Sequence, residues 1–348
     1  MKTSNHLLRR LTAALLAAVL ALSIALPVFA SDDGDTIYIN SVSDLLSLAR
    51  NCAYDQWSVG KTVILQKDLS LEGMLWEPIP SFSGQFKGNG HTISDLTITG
   101  QYSPAGLFGI VEEQGSIESL SVRGVVSVSD SADTTTGGIV GINHGTLINC
   151  QFTGVVTGDS EVGGIVGRNE SEGTIDHSTA RAIVTGKSST GGIAGYNLGA
   201  ITGCTNVGSI NTEYQEASLD TDGFTAKMVD YINNKMAAAD NDATNSVTNV
   251  ATDTGGIAGR SSGMILTSVN TGTVGYEHIG YNVGGIVGRT DGLVSGCVNQ
   301  GHVLGRKDVG GIAGQAEPYR ELDLSKDTIK RLRSELDVLR GLVDDTTG

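Results

Sequence analysis

The chain is 348 residues long and acidic, with a formal net charge of −15 at pH 7. A surface of this charge argues against nucleic acid and anionic membranes as partners. Glycine accounts for 48 residues and aromatic residues for only 5%, which suits thin stacked coils better than a thick globular core. We therefore expect one elongated domain, although the length alone would suggest two.

Residues 1–30 have the pattern of a signal peptide. A basic start that ends at Arg10 is followed by an apolar stretch, Leu11–Leu26, and by a small-residue cleavage site, Val28–Ala30. The alternative is an uncleaved membrane anchor, but Pro27 and the cleavage-like triplet favour a signal peptide. No later stretch is apolar enough to span a bilayer. We predict cleavage after Ala30, which removes three positive charges and takes the net charge from −15 to −18. The expected location is secreted or cell-surface.

Residues 31–104, ahead of the repeats described below, are predicted to form an N-terminal capping region. Ser41–Asp44 fits a capping box that opens a short helix ending near Cys52. Apolar and polar residues alternate in Thr62–Leu71, which predicts a strand. The sequence of Gly84–Ile93 predicts strands bent at an Asn-Gly pair. A repeat array needs a terminal unit that covers its open end, and this region fits that role.

Four aromatic residues gather in this region: Trp57, Trp76, Phe82 and Phe86. We expect them to fill the cap, because a terminal unit needs bulky apolar side chains to bury. The alternative interpretation is an aromatic platform for sugar binding.

A five-residue phrase, Gly-Gly-Ile-(Val/Ala)-Gly, occurs six times in residues 105–317. Successive copies are 26, 28, 64, 29 and 26 residues apart, so the period is about 27 residues with one interruption, as in a solenoid. A looser copy begins at Gly106. The repeat glycines are Gly137, Gly138, Gly141, Gly163, Gly164, Gly167, Gly191, Gly192, Gly195, Gly255, Gly256, Gly259, Gly284, Gly285, Gly288, Gly310, Gly311 and Gly314.

The residues that follow each phrase also recur at fixed positions. Short β-branched runs separated by Asn and Gly turns indicate strand–turn–strand rather than helix. We predict that each repeat is one coil of an all-β parallel β-helix, with coils about 4.8 Å apart. The glycines are expected to supply positive φ at the corners and to leave room where coils stack.

The phrase, its period and a trailing Asn-x-Gly, as at Asn206, Asn270 and Asn299, resemble the GLUG motif of bacterial surface and secreted proteins. That motif also occurs in the non-catalytic region of IgA-specific zinc metallopeptidases. The resemblance covers about residues 106–314 and implies a right-handed coil and a bacterial envelope or secreted context. It implies no particular activity.

The four cysteines do not fit a disulfide framework. Cys150, Cys204 and Cys297 fall in one column, with Ser178 and Ser268 in the coils between them. Residues of one column that are two coils apart would be about 9.6 Å apart, too far for a disulfide. With Cys52 far away in the sequence, we expect free, buried thiols.

Residues 212–253 interrupt the repeats. Phe224, Met228, Val229, Ile232 and Met236 recur at helical spacing and predict an amphipathic helix on the flank of the solenoid. Insertions of this kind often lie on a binding face.

Residues 318–348 follow the last repeat. Leu322, Ile329, Leu332, Leu336, Leu339 and Val343 alternate at spacings of three and four. This pattern predicts a helix that either starts a coiled coil, through which copies of the chain would self-associate, or folds back to cap the solenoid. Because the heptad pattern stops after a few repeats, we expect this chain to be the N-terminal portion of a longer protein.

No catalytic, metal-binding or cofactor-binding pattern emerges, so we predict no cofactor and no enzyme activity in this chain. None of the six histidines starts a His-Glu-x-x-His motif, which excludes a zinc protease within this stretch. A polysaccharide lyase on the solenoid is the weakest alternative, because the repeat strands carry Gly, Ile, Val, Thr and Asn where carboxylates would be needed.

Three arginines share a column after the glycine phrase: Arg168, Arg260 and Arg289. They are the binding candidates, for an anionic glycan. The alternative is a solvated ladder that neutralises nearby acids. In the next column, Asn143, Asn169 and Asn197 predict a structural ladder rather than a polar site.

These patterns predict a non-catalytic, exported bacterial surface module, a rigid spacer or adhesin that presents a β-solenoid to a host or matrix protein or a glycan. The alternative is the N-terminal binding region of a larger secreted hydrolase, similar to a metallopeptidase, whose catalytic domain lies beyond this chain.

Overall fold

The computed structural model describes residues 35–54, 56–128, 134–212 and 251–317. The predicted signal peptide, most of the predicted insertion and the predicted C-terminal helix lie outside these residues. The described residues from Ile37 onward belong to one compact unit. Among the described residues, no helix is long and apolar enough to cross a membrane.

The fold is an all-β parallel β-helix, as the repeats predict. The chain passes in turn through four sheets, which we call sheets 1 to 4, and from Ser116 onward each circuit contributes to every sheet. The strands are numbered in chain order, and from β2 onward they pair with parallel neighbours, for example Leu147 with Ile175 and Val166 with Ala194.

Sheet 1 consists, in spatial order, of β1 (Thr36–Ile39), β2 (Thr62–Leu65), β5 (Gln85–Lys87), β8 (Ser116–Glu118), β12 (Thr146–Ile148), β16 (Thr174–Asp176), β20 (Ala200–Thr202), β25 (Met264–Leu266) and β29 (Leu293–Ser295). Sheet 2 consists of β3 (Leu69–Ser70), β6 (Thr92–Gly100), β9 (Ser121–Val128), β13 (Gln151–Thr157), β17 (Thr179–Thr185), β21 (Thr205–Asn206), β26 (Val269–Asn270) and β30 (Val298–Asn299), with β22 (Ser209–Ile210) beside β17.

Sheet 3 consists of β10 (Thr136–Gly137), β14 (Ser160–Gly163), β18 (Ser188–Gly191), β23 (Thr252–Gly255), β27 (Tyr281–Gly284) and β31 (Lys307–Gly310). Sheet 4 consists of β4 (Ile79–Phe82), β7 (Phe108–Val111), β11 (Val140–Asn143), β15 (Val166–Asn169), β19 (Ala194–Asn197), β24 (Ala258–Ser261), β28 (Val287–Thr290) and β32 (Ala313–Ala316). Thr252 and Asp253, which the sequence assigns to the insertion, therefore belong to β23.

The core is a set of stacked apolar columns inside the coils. The central residues of the sheet 1 strands form one such column from Val63 through Ile265, and the isoleucines of the glycine phrase form another. Burying one such side chain stabilises the fold by about 1.5–3 kcal/mol. Both columns follow from the period of the sequence, because side chains at equivalent positions of successive coils stack in register.

The predicted N-terminal capping region contains the one helix among the described residues, α1 (Val42–Asn51). The side chain of Ser41 accepts a hydrogen bond from the amide of Asp44, and Asp44 accepts one from the amide of Asn40, as in a capping box. Leu45 and Leu48 of α1 are buried in the core. The predicted helix is thus confirmed, with Cys52 as its C-cap.

The aromatic residues of this region are part of the cap. Trp76 is 2% exposed and Phe82 and Phe86 are 0% exposed, and the Trp76 Nε1 donates to the carbonyl of Leu107 at 3.1 Å. The rings of Phe82, Phe86 and Phe108 lie with their centroids 5.4–6.3 Å apart. These three buried rings belong to the core and offer no sugar-binding platform. Trp57 packs against the core and is only partly buried, with Lys61 Nζ 5.4 Å from its ring centroid.

The role predicted for the repeat glycines is partly wrong. The glycine phrase forms the corner between sheets 3 and 4, and none of its glycines has a positive φ. An added Cβ at Gly164 would instead overlap the carbonyl of Gly192 in the next coil, and one at Gly167 would lie 2.6 Å from the amide of Thr136. Close stacking of backbones, not a left-handed turn, requires glycine here.

Positive φ occurs instead at one other corner of the coil and within the strands of sheet 3, mostly without glycine. Between sheets 1 and 2 the left-handed residues are Ser119, Asn149, His177, Gly203, Thr267 and Gly296. Within sheet 3 they are Glu161, Ser189, Asp253, Asn282 and Asp308. Several of these are Asn, Asp or Ser, whose short polar side chains tolerate this conformation better than most.

Candidate functional site

The three candidate arginines lie in one column on the outer surface of sheet 4. The strand registers align Arg168 with Tyr196, Tyr196 with Arg260, and Arg260 with Arg289. The column is therefore Arg168–Tyr196–Arg260–Arg289, which we call the arginine–tyrosine column. Parallel strands space its members about 4.8 Å apart.

Tyr196 lies between two guanidinium groups. The Cζ of Arg168 is 5.2 Å from the ring centroid of Tyr196, and the Cζ of Arg260 is 5.1 Å from it. Contacts of this kind are worth about 0.5–1 kcal/mol each at exposed sites. Sequence reasoning missed Tyr196, although it follows Gly195 as Arg168 follows Gly167. Aligning the residue after the last glycine of the phrase in every repeat would have identified Tyr196.

Arg168 is held by two carboxylates. Its Nη1 is 2.8 Å from Glu161 Oε1, and its Nε is 2.6 Å from Glu170 Oε1. Partial burial lowers the pKa of Arg168, but the negative charges of Glu161 and Glu170 outweigh that effect, so its pKa lies above the usual value. Arg168 is consequently positioned by its own neighbours.

Arg289 and Arg260 differ in whether a carboxylate pairs with them. The Nη2 of Arg289 is 2.6 Å from Glu317 Oε1. Arg260 stacks on Tyr196, and no carboxylate among the described residues lies within ion-pair distance of its guanidinium. Of the three, Arg260 is thus the one whose charge is least compensated by the described part of the chain.

The carboxylates beside the arginines limit which ligands this surface can bind. Two of the three arginines, Arg168 and Arg289, together pair with three carboxylates, those of Glu161, Glu170 and Glu317. Arg168 and Arg289 side chains are 31% and 33% exposed. The column is a half-buried ridge, so it suits an extended ligand that lies along the coils better than a small molecule in a cavity.

The asparagine columns are structural ladders, as predicted. The Nδ2 of Asn143 donates to Asn169 Oδ1 at 2.8 Å, and that of Asn169 donates to Asn197 Oδ1 at 2.8 Å. All three residues are 0% exposed. A second ladder links Asn206 to Asn270 and Asn270 to Asn299, each at 2.8 Å. The amides of the first ladder are therefore paired inside the coils and cannot reach a ligand.

The cysteines are free thiols, as predicted. Burial raises the pKa of Cys52 to about 11 and those of Cys150 and Cys204 to about 12. The predicted burial is wrong only for Cys297, which is half-buried because it belongs to the last described coil. A thiol with a raised pKa is a poor nucleophile, so these residues do not suggest catalysis.

Histidines and acids do not assemble into a catalytic or metal site in the described residues. His91 pairs with Asp68 at 3.2 Å and His177 with Asp176 at 2.8 Å. The hydrogen bond from the amide of Thr92, and then His91, lower the pKa of Asp68. No group of three or more His, Cys, Asp or Glu side chains in this part of the chain could hold a metal ion.

Comparison with known proteins gives short regions of similarity. No family model matches the chain, so the resemblance to the GLUG motif stays a prediction. The chain is 31% identical over 155 residues to Halomucin of Haloquadratum walsbyi and 29% identical over 137 residues to a candidate Gly-rich membrane protein of Evansella cellulosilytica. These regions cover 41% and 28% of this chain, but only 2% and 16% of the relatives' own lengths.

Among solved structures, the chain is similar to a crystal structure of a candidate immunoglobulin A1 protease from Bacteroides ovatus. The match covers 82% of this chain and 85% of that chain, with 17% sequence identity and a TM-score of 0.48. A likeness of this size supports no conclusion about function.

Proposed function

We propose that the chain is a non-catalytic module of an exported surface protein, a rigid spacer whose sheet 4 surface acts as an adhesin for an extended anionic glycan or an acidic protein segment. The observation that carries this proposal is the continuous stack of coils in the described part of the chain, which carries one ordered column of cationic and aromatic side chains on sheet 4.

Rigidity follows from how neighbouring coils are joined. Eight strands of sheet 4 are hydrogen-bonded side by side, which at about 4.8 Å per strand gives an axis of about 34 Å. Buried asparagine ladders add side-chain hydrogen bonds between the same coils. A spacer needs this property, because bending it would break ladders on several sheets together.

Two further observations favour an exported setting. The sequence of residues 1–30 predicts a signal peptide. One relative is named as a Gly-rich membrane protein. The predicted alternative, a binding region of a larger secreted hydrolase, has no observation among the described residues in its favour.

The adhesin role rests on the arginine–tyrosine column. Stacking on Tyr196 holds Arg260 in place without neutralising it. Arg168 and Arg289 are already paired with acids, so an anionic ligand would gain most from Arg260. Such a ligand would bind weakly at each point and depend on contacts repeated along the column.

A binding array of acidic and neutral glycans and matrix proteins, probed with residues 31–348, tests the proposal. The variant Arg260→Gln is compared with Arg181→Gln, since Arg181 is an exposed arginine of sheet 2. We expect binding that falls with Arg260→Gln and persists with Arg181→Gln. Equal binding by both variants would exclude the column as the site. No binding by the parent protein would exclude the adhesin role and leave the spacer.

A further inference from the structure

A second polar column runs beside the arginine–tyrosine column, and we call it the flanking column. It consists of the left-handed residues of sheet 3, which are Glu161, Ser189, Asp253, Asn282 and Asp308. The strand registers on either side of these residues align them in successive coils. A Cβ added to Gly259, the residue before Arg260, would overlap the backbone of Ser189. The two columns are therefore in close contact.

Each member of the arginine–tyrosine column follows a member of the flanking column by seven positions in the same coil. Glu161 precedes Arg168, Ser189 precedes Tyr196, Asp253 precedes Arg260 and Asn282 precedes Arg289. Both columns are in register from coil to coil, so these pairs share one backbone arrangement. The side chain seven positions earlier consequently determines which polar group the later residue can meet.

A glutamate in the flanking column reaches its arginine. Glu161 has a φ of 48°, and its Oε1 lies 2.8 Å from the Nη1 of Arg168. Its second oxygen accepts a hydrogen bond from the hydroxyl of Thr135 at 3.0 Å. Glu161 is thus held in place on both sides, and Arg168 is closed by it.

Asp253 occupies the equivalent position before Arg260 and does not pair with it. Its φ of 53° is close to that of Glu161, so the backbone is not the cause. The side chain is one methylene shorter, and its Oδ1 accepts a hydrogen bond from the Nδ2 of Asn282 at 2.6 Å. Asp253 is 9% exposed. Its carboxylate is therefore directed along the flanking column, toward the next coil, while Arg260 stacks on Tyr196.

We propose that Asp253 is a positioning residue that keeps Arg260 open, so that Arg260 binds one isolated anionic group of an extended ligand. This inference rests on the proposed function of the arginine–tyrosine column and names the point of that column at which the ligand's charge binds. The group is a carboxylate, sulfate or phosphate, since a guanidinium donates hydrogen bonds to any of these.

The neighbouring charges explain why the anionic group must be isolated. Arg168 lies two coils from Arg260, at about 9.6 Å, and pairs with two carboxylates, which leaves a net negative charge there. On the other side, Glu317 neutralises Arg289. A ligand that carries a charge on every unit would meet repulsion beside Arg168. A ligand whose charged group has uncharged units on both sides would not.

Arginine modification by phenylglyoxal tests the role of Asp253 without any ligand, because an ion pair shields a guanidinium from this reagent. The rates at Arg168, Arg260 and Arg289 are measured by peptide mass spectrometry on residues 31–348. We expect Arg260 to react about fivefold faster than Arg168 in the parent protein. Asp253→Glu should slow Arg260 to about the rate of Arg168 and leave Arg289 unchanged.

The matched control is Asp308→Glu, which adds the same methylene group in the same column. Gln315 follows Asp308 by seven positions, so this variant has no arginine to close and should leave all three rates unchanged. An Arg260 rate that is equal in the parent and in Asp253→Glu would overturn the role of Asp253. An equal slowing of Arg289 would overturn it too, since Asn282 and not Asp253 precedes that residue.

A reciprocal pair of variants decides the question if Asp253→Glu does not fold. Glu170→Gln removes the second carboxylate from Arg168 and keeps the ion pair with Glu161. Adding Glu161→Asp to it reproduces the arrangement of Asp253 and Arg260. Arg168 should then react faster than in Glu170→Gln alone, and an unchanged rate would overturn the proposal.

Protection of Arg260 from phenylglyoxal tests the ligand class, with dextran sulfates of low and high substitution as probes and uncharged dextran as the control. At equal sulfate concentration, we expect the sparsely substituted polymer to protect Arg260 more. Stronger protection by the dense polymer would overturn the isolated anionic group. Protection by neither would exclude anion binding at Arg260 and with it the adhesin function, whereas the rates in Asp253→Glu decide the role of Asp253 separately.

Discussion

Asn143 and Asn169 are joined by a hydrogen bond of 2.8 Å between the Nδ2 of the first and the Oδ1 of the second, with both side chains 0% exposed. The same amide of Asn143 also donates to the carbonyl of Gly145 at 3.1 Å. Each asparagine thus links its own turn to the next coil. Fully paired buried amides stabilise a structure, but they cost free energy if one partner is removed.

Replacing Asn169 with leucine should weaken the solenoid. The change removes the acceptor for Asn143 and the donor to Asn197 and to the carbonyl of Gly173, and leaves these buried groups unpaired. We expect a loss of about 2–4 kcal/mol in the free energy of unfolding, measured by urea denaturation.

The matched control is Gln151→Leu, because the amide of Gln151 is only part-buried and lies 3.4 Å from Thr153 Oγ1. A change within about 0.5 kcal/mol is expected there. Equal losses for the two variants would mean that the ladder is not a stabilising unit.

Adding one methyl group to a repeat glycine should be costly inside the stack and harmless at its end. In Gly164→Ala the new Cβ would overlap the carbonyl of Gly192 and lie 3.0 Å from the Cβ of Ala180. Because backbone cannot move aside locally, we expect a loss of about 3 kcal/mol, or failure to fold. Thermal unfolding followed by circular dichroism measures the effect.

Gly311→Ala makes the same change at the same motif position in the last described coil. With no atom within 4 Å of the added Cβ, stability should change by less than about 0.5 kcal/mol. A large loss of stability in Gly311→Ala would show that the backbone conformation requires glycine at this position, although its φ is not positive.

Thr267 is the β-branched member of the left-handed column between sheets 1 and 2, with φ of 47°. Asn149 occupies the equivalent position with φ of 53°, and asparagine tolerates this region better. We therefore expect Thr267→Asn to stabilise the protein by about 1 kcal/mol, as measured by chemical denaturation. Thr202→Asn, in an extended strand, should instead be neutral or destabilising. The prediction fails if Thr267→Asn lowers the midpoint.

The buried thiols predict a loss of stability in alkali. Burial raises the pKa of Cys150 and Cys204 from 9.0 to about 12. Below pH 9 the thiols are protonated in both states, so their contribution is fully present. Above it the unfolded chain loses these protons first, and the contribution is lost as the pH rises toward 12, by about 2–3 kcal/mol at pH 10 for the pair.

A Cys150→Ser/Cys204→Ser variant isolates this effect from other groups that titrate in alkali. Serine already occupies the column at Ser178, where its hydroxyl donates to the carbonyl of Asp176 at 3.1 Å, so the substitution fits. We expect the denaturation midpoint of the variant to fall less steeply between pH 8.5 and 10.5. Parallel slopes for the two proteins would refute the assignment.

The sequence by itself determined the parallel β-helix fold and the columns of equivalent residues in successive coils. Parallel coils of a constant length bring equivalent residues of successive repeats into register, so Arg168, Arg260 and Arg289, the asparagine ladders and the alternation of cysteine with serine could be aligned from spacing alone. The capping box at Ser41 was equally readable, because its hydrogen bonds join residues three and four apart.

Only the tertiary structure decided which contacts each column makes across corners and between coils. It showed that Gly164 and Gly167 are required by the closeness of neighbouring backbones rather than by their own φ. It also showed that Glu161 neutralises Arg168 while Arg260 stacks on Tyr196. The repeat period determines which residues share a column. The distance from a side chain to a neighbouring coil or corner depends on how the whole circuit closes, and no local sequence pattern encodes that.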